Sequence, residues 1–240
     1  MEIPNREGSM VNCYILQDKN RVKILEEKHF DADYWRDRPG FAAIDGGRGG
    51  SVRISLDGQA AILRQYKRGG LIASLSTDRY IWLGKHRSRP WREYQLLQQA
   101  SGAGLPVAKP LGACVWKSGL TYRAAIITAY LEETQTLAER LTDASLEEDT
   151  WFQLGSLLKK MQTLGFRHAD LNANNILIGQ DSKIYIIDFD KGRVMKGLGN
   201  WQWAPLYRLQ RSLLKIDRQQ ALHYGDQDWQ YLMDGYQSSL

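Results

Sequence analysis

The chain has 240 residues, 43% of them hydrophobic and 10% aromatic, which is ordinary for a water-soluble protein and enough for one well-buried domain or two small lobes. No run reaches about 18 uninterrupted apolar residues, so no transmembrane helix is expected, and the polar, acidic start Met1-Glu2-Ile3-Pro4-Asn5-Arg6-Glu7 is expected to exclude a secretory signal. Cys13 and Cys114 are too few for a disulfide framework and lack metal-ligand spacing, so both read as reduced thiols.

Residues 12–16 and 21–25 alternate weakly and read as strands, or as a strand and a turn. Phe41-Ala42-Ala43-Ile44 runs into the glycine cluster Gly46-Gly47-Arg48-Gly49-Gly50, and residues 51–56 leave it as a strand. Asp57-Gly58 is a hairpin turn signal, with residues 60–66 as the returning strand. The net charge of +5 is concentrated next: Arg64, Lys67, Arg68, Arg79, Lys85, Arg87, Arg89 and Arg92 face only one acid, Asp78. Tyr66, Tyr80, Trp82 and Trp91 are interleaved with them, a combination that suits an anionic partner: a lipid surface, an acidic sugar or a nucleic acid.

Trp91, Tyr94 and Leu97 have helical spacing within residues 91–100, and Gly102-Ala103-Gly104 is the stop. Val107, Leu111, Ala113 and Val115 lead through a turn at Lys117-Ser118-Gly119 into a strand at residues 122–128. From Glu133 onward the pattern becomes helical. Trp151, Leu154, Leu158 and Met161 share one face of a helix that ends at Gly165. Residues 175–178 and 183–188 read as two short strands about a turn at Gly179-Gln180-Asp181-Ser182. Residues 205–215 and 219–224 read as helices. The class is α+β.

The chemistry lies between that amphipathic helix and the hairpin, in His168-Ala169-Asp170-Leu171-Asn172-Ala173-Asn174-Asn175. The second hairpin strand then ends in Ile186-Ile187-Asp188-Phe189-Asp190. This is the spacing of a kinase catalytic loop and its metal-binding partner. Asp170 is the candidate base beside an attacking hydroxyl. Asn175 and Asp188, at the two ends of one hairpin, are candidates to hold Mg²⁺ on nucleotide phosphates, and their oxygen donors are as hard as Mg²⁺ requires.

The remaining nucleotide contacts are sought upstream. A Walker loop needs a following helix and a Gly-Lys-Ser/Thr ending, and neither is here. A strand-turn-strand loop at Gly47, Gly49 and Gly50 can instead bring backbone N–H groups close to phosphate oxygens. Arg64 stands where kinase-like folds usually carry a lysine, and Glu93 on the following helix is its natural partner. Residues 127–131 fall at a kinase hinge, with Tyr130 and Leu131 as candidates to meet an adenine ring. ATP is the default nucleotide; these residues do not select it over GTP.

The chain departs from a protein kinase after Asp188. Asp188-Phe189-Asp190 lacks the third-position glycine, no Ala-Pro-Glu element follows, and only 50 residues remain past Asp190. A long peptide-docking segment is not expected, and no protein substrate with it. Lys191, Arg193 and the helical series Arg208, Arg211 and Lys215 are candidates for holding an acidic acceptor.

On these motifs the chain resembles the bacterial 3-deoxy-D-manno-octulosonic acid (Kdo) kinases, protein-kinase-like relatives of the heptose kinases of lipopolysaccharide core assembly. The resemblance runs over about residues 40 to 215 and is carried by Gly47-Arg48-Gly49, by Leu63 to Gly70, by Arg89-Pro90-Trp91-Arg92-Glu93, by the catalytic loop, by Asp188 to Arg193, and by Arg208-Leu209-Gln210-Arg211-Ser212-Leu213. Arg64 belongs to that family's pattern. The resemblance implies a protein-kinase-like two-lobed fold. Residues 1–128 would be a nucleotide-binding lobe of antiparallel sheet with one main helix, 129–133 a hinge, and 134–240 a mostly helical catalytic and acceptor-binding lobe carrying the catalytic-loop hairpin. It also implies ATP- and Mg²⁺-dependent phosphorylation of the 4-hydroxyl of Kdo on a lipid A precursor, by a peripheral protein at the cytoplasmic face of the bacterial inner membrane. The basic segment, with Tyr80 and Trp82, suits an anionic membrane surface. Two rivals stand beside this: a kinase for heptose, an aminoglycoside or another small acceptor, and a nucleotide-binding pseudokinase, which Arg64 alone supports. A nucleic-acid module has the charge but no motif, and no nucleic acid is expected as a partner.

Overall fold

The computed structural model describes residues 2–4, 10–44, 50–67, 78–197 and 199–238. The chain is mixed α/β with antiparallel sheets. It forms two compact units, Met1–Gln98 with Lys109–Tyr130, and Gln99–Ala108 with Leu131–Leu240.

The first unit is built on one antiparallel sheet. Its strands are β1 (Glu2–Pro4), β2 (Met10–Gln17), β3 (Ala42–Ala43), β4 (Ser51–Leu56), β5 (Gln59–Gln65), β6 (Tyr80–Ile81), β7 (Pro110–Ser118) and β8 (Thr121–Ala129). They lie in the order β1-β2-β7-β8-β5-β4-β3, with β6 paired to β8. The β4–β5 hairpin turns on Asp57 and Gly58, both at positive φ (51° and 80°), as a two-residue turn that follows the strand twist requires. Alternation then sends Ile54, Leu56, Ala61 and Leu63 to one face, where they pack with Leu111 and Ile127 and with Val22, Leu25, Phe30 and Trp35. Each such Leu or Ile stabilises the fold by about 2 kcal/mol relative to exposure.

Of the two readings of residues 12–16 and 21–25, the strand and turn holds: residues 12–16 lie in β2 and residues 21–25 form no strand. The Arg21 and Val22 N–H groups donate back to the Asp18 carbonyl at 3.0 and 3.1 Å, and Val22 and Leu25 reach the core from a turn. Their apolar alternation reflects burial without strand pairing. Cys13 and Cys114 sit on β2 and β7 as free thiols with Sγ atoms 3.2 Å apart. Burial pushes the Cys114 thiol up, keeping it protonated. Helix α1 (Ala32–Trp35) is a single turn that buries Trp35. Helix α2 (Arg89–Gly102) carries Pro90 in its first turn, where a missing N–H is no loss, and buries Trp91, Tyr94 and Leu97.

The second unit contains β9 (Thr134–Thr136), α3 (Leu137–Asp143), α4 (Glu148–Thr163), β10 (Phe166–Arg167), β11 (Ile176–Gly179), β12 (Ile184–Ile186), β13 (Arg193–Val194), α5 (Trp203–Gln220) and α6 (Asp226–Ser238). A capping box starts α3: Thr136 Oγ1 accepts from the Glu139 N–H and the Glu139 carboxylate accepts from the Thr136 N–H. On α4 the residues Trp151, Leu154, Leu158 and Met161 are all buried. The helix expected at 219–224 does not form. Helix α5 runs on to Gln220 and stops at Ala221, which is left-handed at φ 50°; the Ala221 N–H bonds the Asp217 carbonyl and the Leu222 N–H bonds the Asp217 carboxylate. The chain restarts as α6 at Asp226. No helix among the described residues is long and apolar enough to cross a membrane.

Helices α4 and α6 meet through glycine. A β-carbon on Gly155 would run into the Leu232 carbonyl, and one on Gly235 into the Phe152 carbonyl. These are backbone atoms, which cannot swing aside as a flexible side chain would. Gly155→Ala or Gly235→Ala is therefore expected to destabilise the protein by about 3 kcal/mol, read as a lower midpoint in urea unfolding. An unchanged midpoint would mean that the helices separate without cost.

Candidate active site

In the second unit, Gly165, at φ 85°, ends the α4 turn and sends the chain into β10, which pairs with β13. The next residue, His168, is 1% exposed and anchors the loop that follows. Its Nδ1 accepts from the Asp170 N–H at 3.2 Å, so the proton sits on Nε2, which donates to the Ile187 carbonyl at 2.9 Å. Burial pushes its pKa below the ordinary histidine value, so the ring is neutral. The ring also meets Phe189 edge-on, at 4.9 Å between centroids. One side chain thus ties the Asp170 loop to the residues on both sides of Asp188.

The loop is closed by its own amides. The Asp170 carbonyl accepts from Asn172 Nδ2 at 2.9 Å and from Asn175 Nδ2 at 2.8 Å. Asn172 Oδ1 accepts from the Asn174 N–H and caps the 3-10 turn Ala173–Asn175. Ladder pairing sets Ile176 opposite Ile186, and the Ile187 N–H donates to the Asn175 carbonyl at 3.0 Å. The hairpin therefore places Asn175 beside the Ile187–Asp188 turn. Asp188 itself is left-handed at φ 61°, a conformation that Asp and Asn tolerate better than most residues.

This donor set suits a hard divalent cation. Asn175 has its amide nitrogen committed to the Asp170 carbonyl, and its side-chain oxygen and the Asp188 carboxylate are the donors that could hold such an ion. The Asp170 carboxylate has a partner that the spacing of residues did not disclose. Arg208 on α5 donates from Nε to Asp170 Oδ1 at 2.5 Å and reaches the same oxygen from Nη2. Lys191, Arg193, Arg211 and Lys215 are exposed.

In the first unit, Arg64 on β5 meets Glu93 on α2. Arg64 Nη2 lies 2.6 Å from each Glu93 carboxylate oxygen, and the Tyr66 hydroxyl donates to the same carboxylate. Glu93 is 3% exposed, so its charge depends on this pairing. Arg64→Met is expected to cost about 3 kcal/mol, because it takes the cation away from a buried carboxylate. Adding Glu93→Gln should return much of that loss, making the two changes strongly non-additive in a thermal or urea double-mutant cycle. Additive losses would show that the pair is uncoupled.

Of the loop glycines, Gly50 lies with its carbonyl accepting from the Gln65 N–H at 3.0 Å, and an added β-carbon would come within 3.1 Å of the Gln65 carbonyl. Gly47 and Gly49 lie outside the described residues, as do Gly46, Arg48, Arg68, Gly69 and Gly70. The two units change between Tyr130 and Leu131. The Tyr130 N–H donates to the Ala60 carbonyl at 3.0 Å and its ring lies under Arg53. The Leu131 carbonyl accepts from Thr134 Oγ1 at 2.9 Å. Around β6, Trp82 stacks on Tyr14, Arg89 bonds the Tyr80 hydroxyl, and Lys85 sits over the rings of Tyr14 and Trp91. Ile81, Leu83 and Leu120 are exposed.

Comparison with known proteins places these residues in context. The family model described as lipopolysaccharide kinase (Kdo/WaaP) matches residues 35–236. The 3-deoxy-D-manno-octulosonic acid kinase of Xylella fastidiosa (strain 9a5c) is 38% identical over 232 residues, covering 97% of this chain and 90% of its own length. The protein of the same name from Xanthomonas axonopodis pv. citri (strain 306) is 37% identical over 235 residues, covering 98% of this chain and 93% of its own length. That from Xanthomonas campestris pv. campestris (strain B100) is 36% identical over 234 residues, with the same coverage.

Proposed function

The chain belongs to the lipopolysaccharide kinase (Kdo/WaaP) family and is a phosphotransferase, and from that premise we propose that it moves the γ-phosphoryl group of ATP to the 4-hydroxyl of a Kdo sugar on a lipid A precursor. The observation that carries this reading is the hydrogen-bonded unit of Asp170, Asn175 and the Asp188 turn, locked by neutral His168.

Asp170 takes the proton of the attacking hydroxyl. The hydroxyl oxygen forms a bond to the γ-phosphorus as the bond to the bridging β–γ oxygen breaks, and ADP leaves. Asn175 and Asp188 would hold Mg²⁺, which when bound offsets negative charge on the phosphates. Arg64, aligned by Glu93 and Tyr66, contacts the phosphates, and Gly47, Gly49 and Gly50 cover them through backbone N–H groups. Tyr130 and Leu131 meet the adenine. On this reading the fold is protein-kinase-like, with residues 1–128 as the nucleotide lobe, 129–133 as the hinge and 134–240 carrying catalysis and acceptor binding.

Work on a lipid-linked sugar implies a membrane surface, here the cytoplasmic face of the inner membrane. Exposed Ile81, Leu83 and Leu120, close to Lys85, Arg87 and Arg123, support peripheral attachment to anionic lipid. Labelled ATP offered with Kdo-bearing lipid A precursor, free Kdo, heptosylated lipid and a generic protein tests the proposal. Label is expected in the Kdo-bearing lipid. Label confined to heptosylated lipid would make the chain a heptose kinase, and label in the protein alone would overturn the sugar-kinase reading.

A further inference from the structure

We propose that Arg208 recognises the carboxylate of the acceptor and sets its hydroxyl against Asp170, an inference that rests on Asp170 being the proton acceptor. The starting point is an arrangement unusual for a base. Asp170 Oδ1 takes Arg208 Nε and Nη2 together, with Asn172 Nδ2 at 3.4 Å on the same oxygen. The guanidinium spends its Nε/Nη2 edge on that one oxygen and keeps the Nη1/Nη2 edge for a second anion. An acceptor that carries its own carboxylate supplies that anion, and a neutral sugar does not.

The geometry of arginine allows both contacts at once. Its planar fork meets Asp170 through the Nε/Nη2 edge, and the Nη1/Nη2 edge offers two parallel donors that match a carboxylate. The Arg208 and Asp170 side chains are 46% and 38% exposed, so an incoming anion reaches the pair, and an ion pair this wet remodels easily. Arg208 is also well placed by its helix. Leu209 and Leu213 are fully buried, and Ser212 Oγ accepts from the Ala173 N–H at 3.3 Å, fixing α5 against the catalytic loop. Exposed Arg211 and Lys215 extend the positive face. One arginine thus holds the base and the acid group of the substrate on opposite edges, and the separation of carboxylate and hydroxyl becomes the feature selected.

The test uses Arg208→Gln and Arg208→Lys with the Kdo-bearing lipid and its carboxamide counterpart. Wild type should prefer the carboxylate. Arg208→Gln should lower kcat/KM for it by about 100-fold, mainly through KM, with a clearly smaller loss for the carboxamide. Arg208→Lys should recover only part, since ammonium keeps the charge without the fork. Equal losses on both acceptors, or an intact preference in Arg208→Gln, would overturn the proposal. Calorimetric binding of the two acceptors, without nucleotide, separates the two readings. Arg208-dependent carboxylate preference with no phosphorylation would sink the kinase reading and leave recognition standing. Phosphorylation of both acceptors alike would do the reverse.

Discussion

Asp170→Asn is expected to lower phosphoryl transfer by about 10³-fold while Mg-ATP binding stays close to wild type. Asparagine matches aspartate in size and keeps an oxygen for the acceptor hydroxyl, but it cannot take the proton. The substitution should spare the loop. What anchors Asn172 and Asn175 is the Asp170 backbone carbonyl, and what bonds His168 Nδ1 is the Asp170 backbone N–H. Neither depends on the carboxylate. The ion pair with Arg208 is lost, but a pair so exposed contributes at most about 1 kcal/mol. Turnover with labelled ATP and nucleotide affinity by calorimetry read the two quantities separately. Intact turnover, or lost nucleotide binding with turnover preserved, would remove Asp170 from its assigned role.

Asp188→Asn and Asp188→Ala should instead abolish the contribution of Mg²⁺ to nucleotide binding. Losing even an outer partner of a metal site costs about 10- to 100-fold, so a lost carboxylate ligand is expected to weaken binding in Mg²⁺ by at least about 100-fold. Binding in chelator should be unchanged. Two variants are needed because Asp188 sits at φ 61°. Alanine there adds backbone strain that asparagine largely avoids. A loss shared by both variants is electrostatic; a loss confined to alanine is conformational, and would take the metal role away from Asp188.

The parts of this protein that were legible in its sequence are those built from local spacing. The polar loop at residues 168–175 and the hairpin that follows it lie within about twenty residues, so polar positions and strand periodicity could be read together. The β4–β5 hairpin announced itself through Asp57-Gly58, and the α4 face through Trp151, Leu154, Leu158 and Met161. Glu93 was the natural partner for Arg64 because both follow a known order of strand and helix, and the structure sets them 2.6 Å apart.

What escaped depends on tertiary contact. Arg208 lies 38 residues from Asp170, and its basic helical series reads equally as a solvated face. Residues 12–16 and 21–25 read as two strands or as a strand and a turn, and it is the Asp18 carbonyl, taking the Arg21 and Val22 N–H groups, that selects the strand and turn. The break at Ala221 hinges on Asp217 satisfying two backbone N–H groups with both its carbonyl and its carboxylate. Helix α6 exists because Gly235 and Gly155 let it lie against α4, and a glycine inside a helical pattern argues locally for the opposite.

The proposal as a whole comes down to where one phosphoryl group ends up. The measurement that reads this is a phosphorus–proton correlation spectrum of the Kdo-bearing lipid recovered after incubation with the protein and Mg-ATP. A new phosphate monoester coupled to the proton on carbon 4 of Kdo is the expected result. Phosphate on any other position, or a lipid returned unchanged while Mg-ATP is bound, would contradict the account.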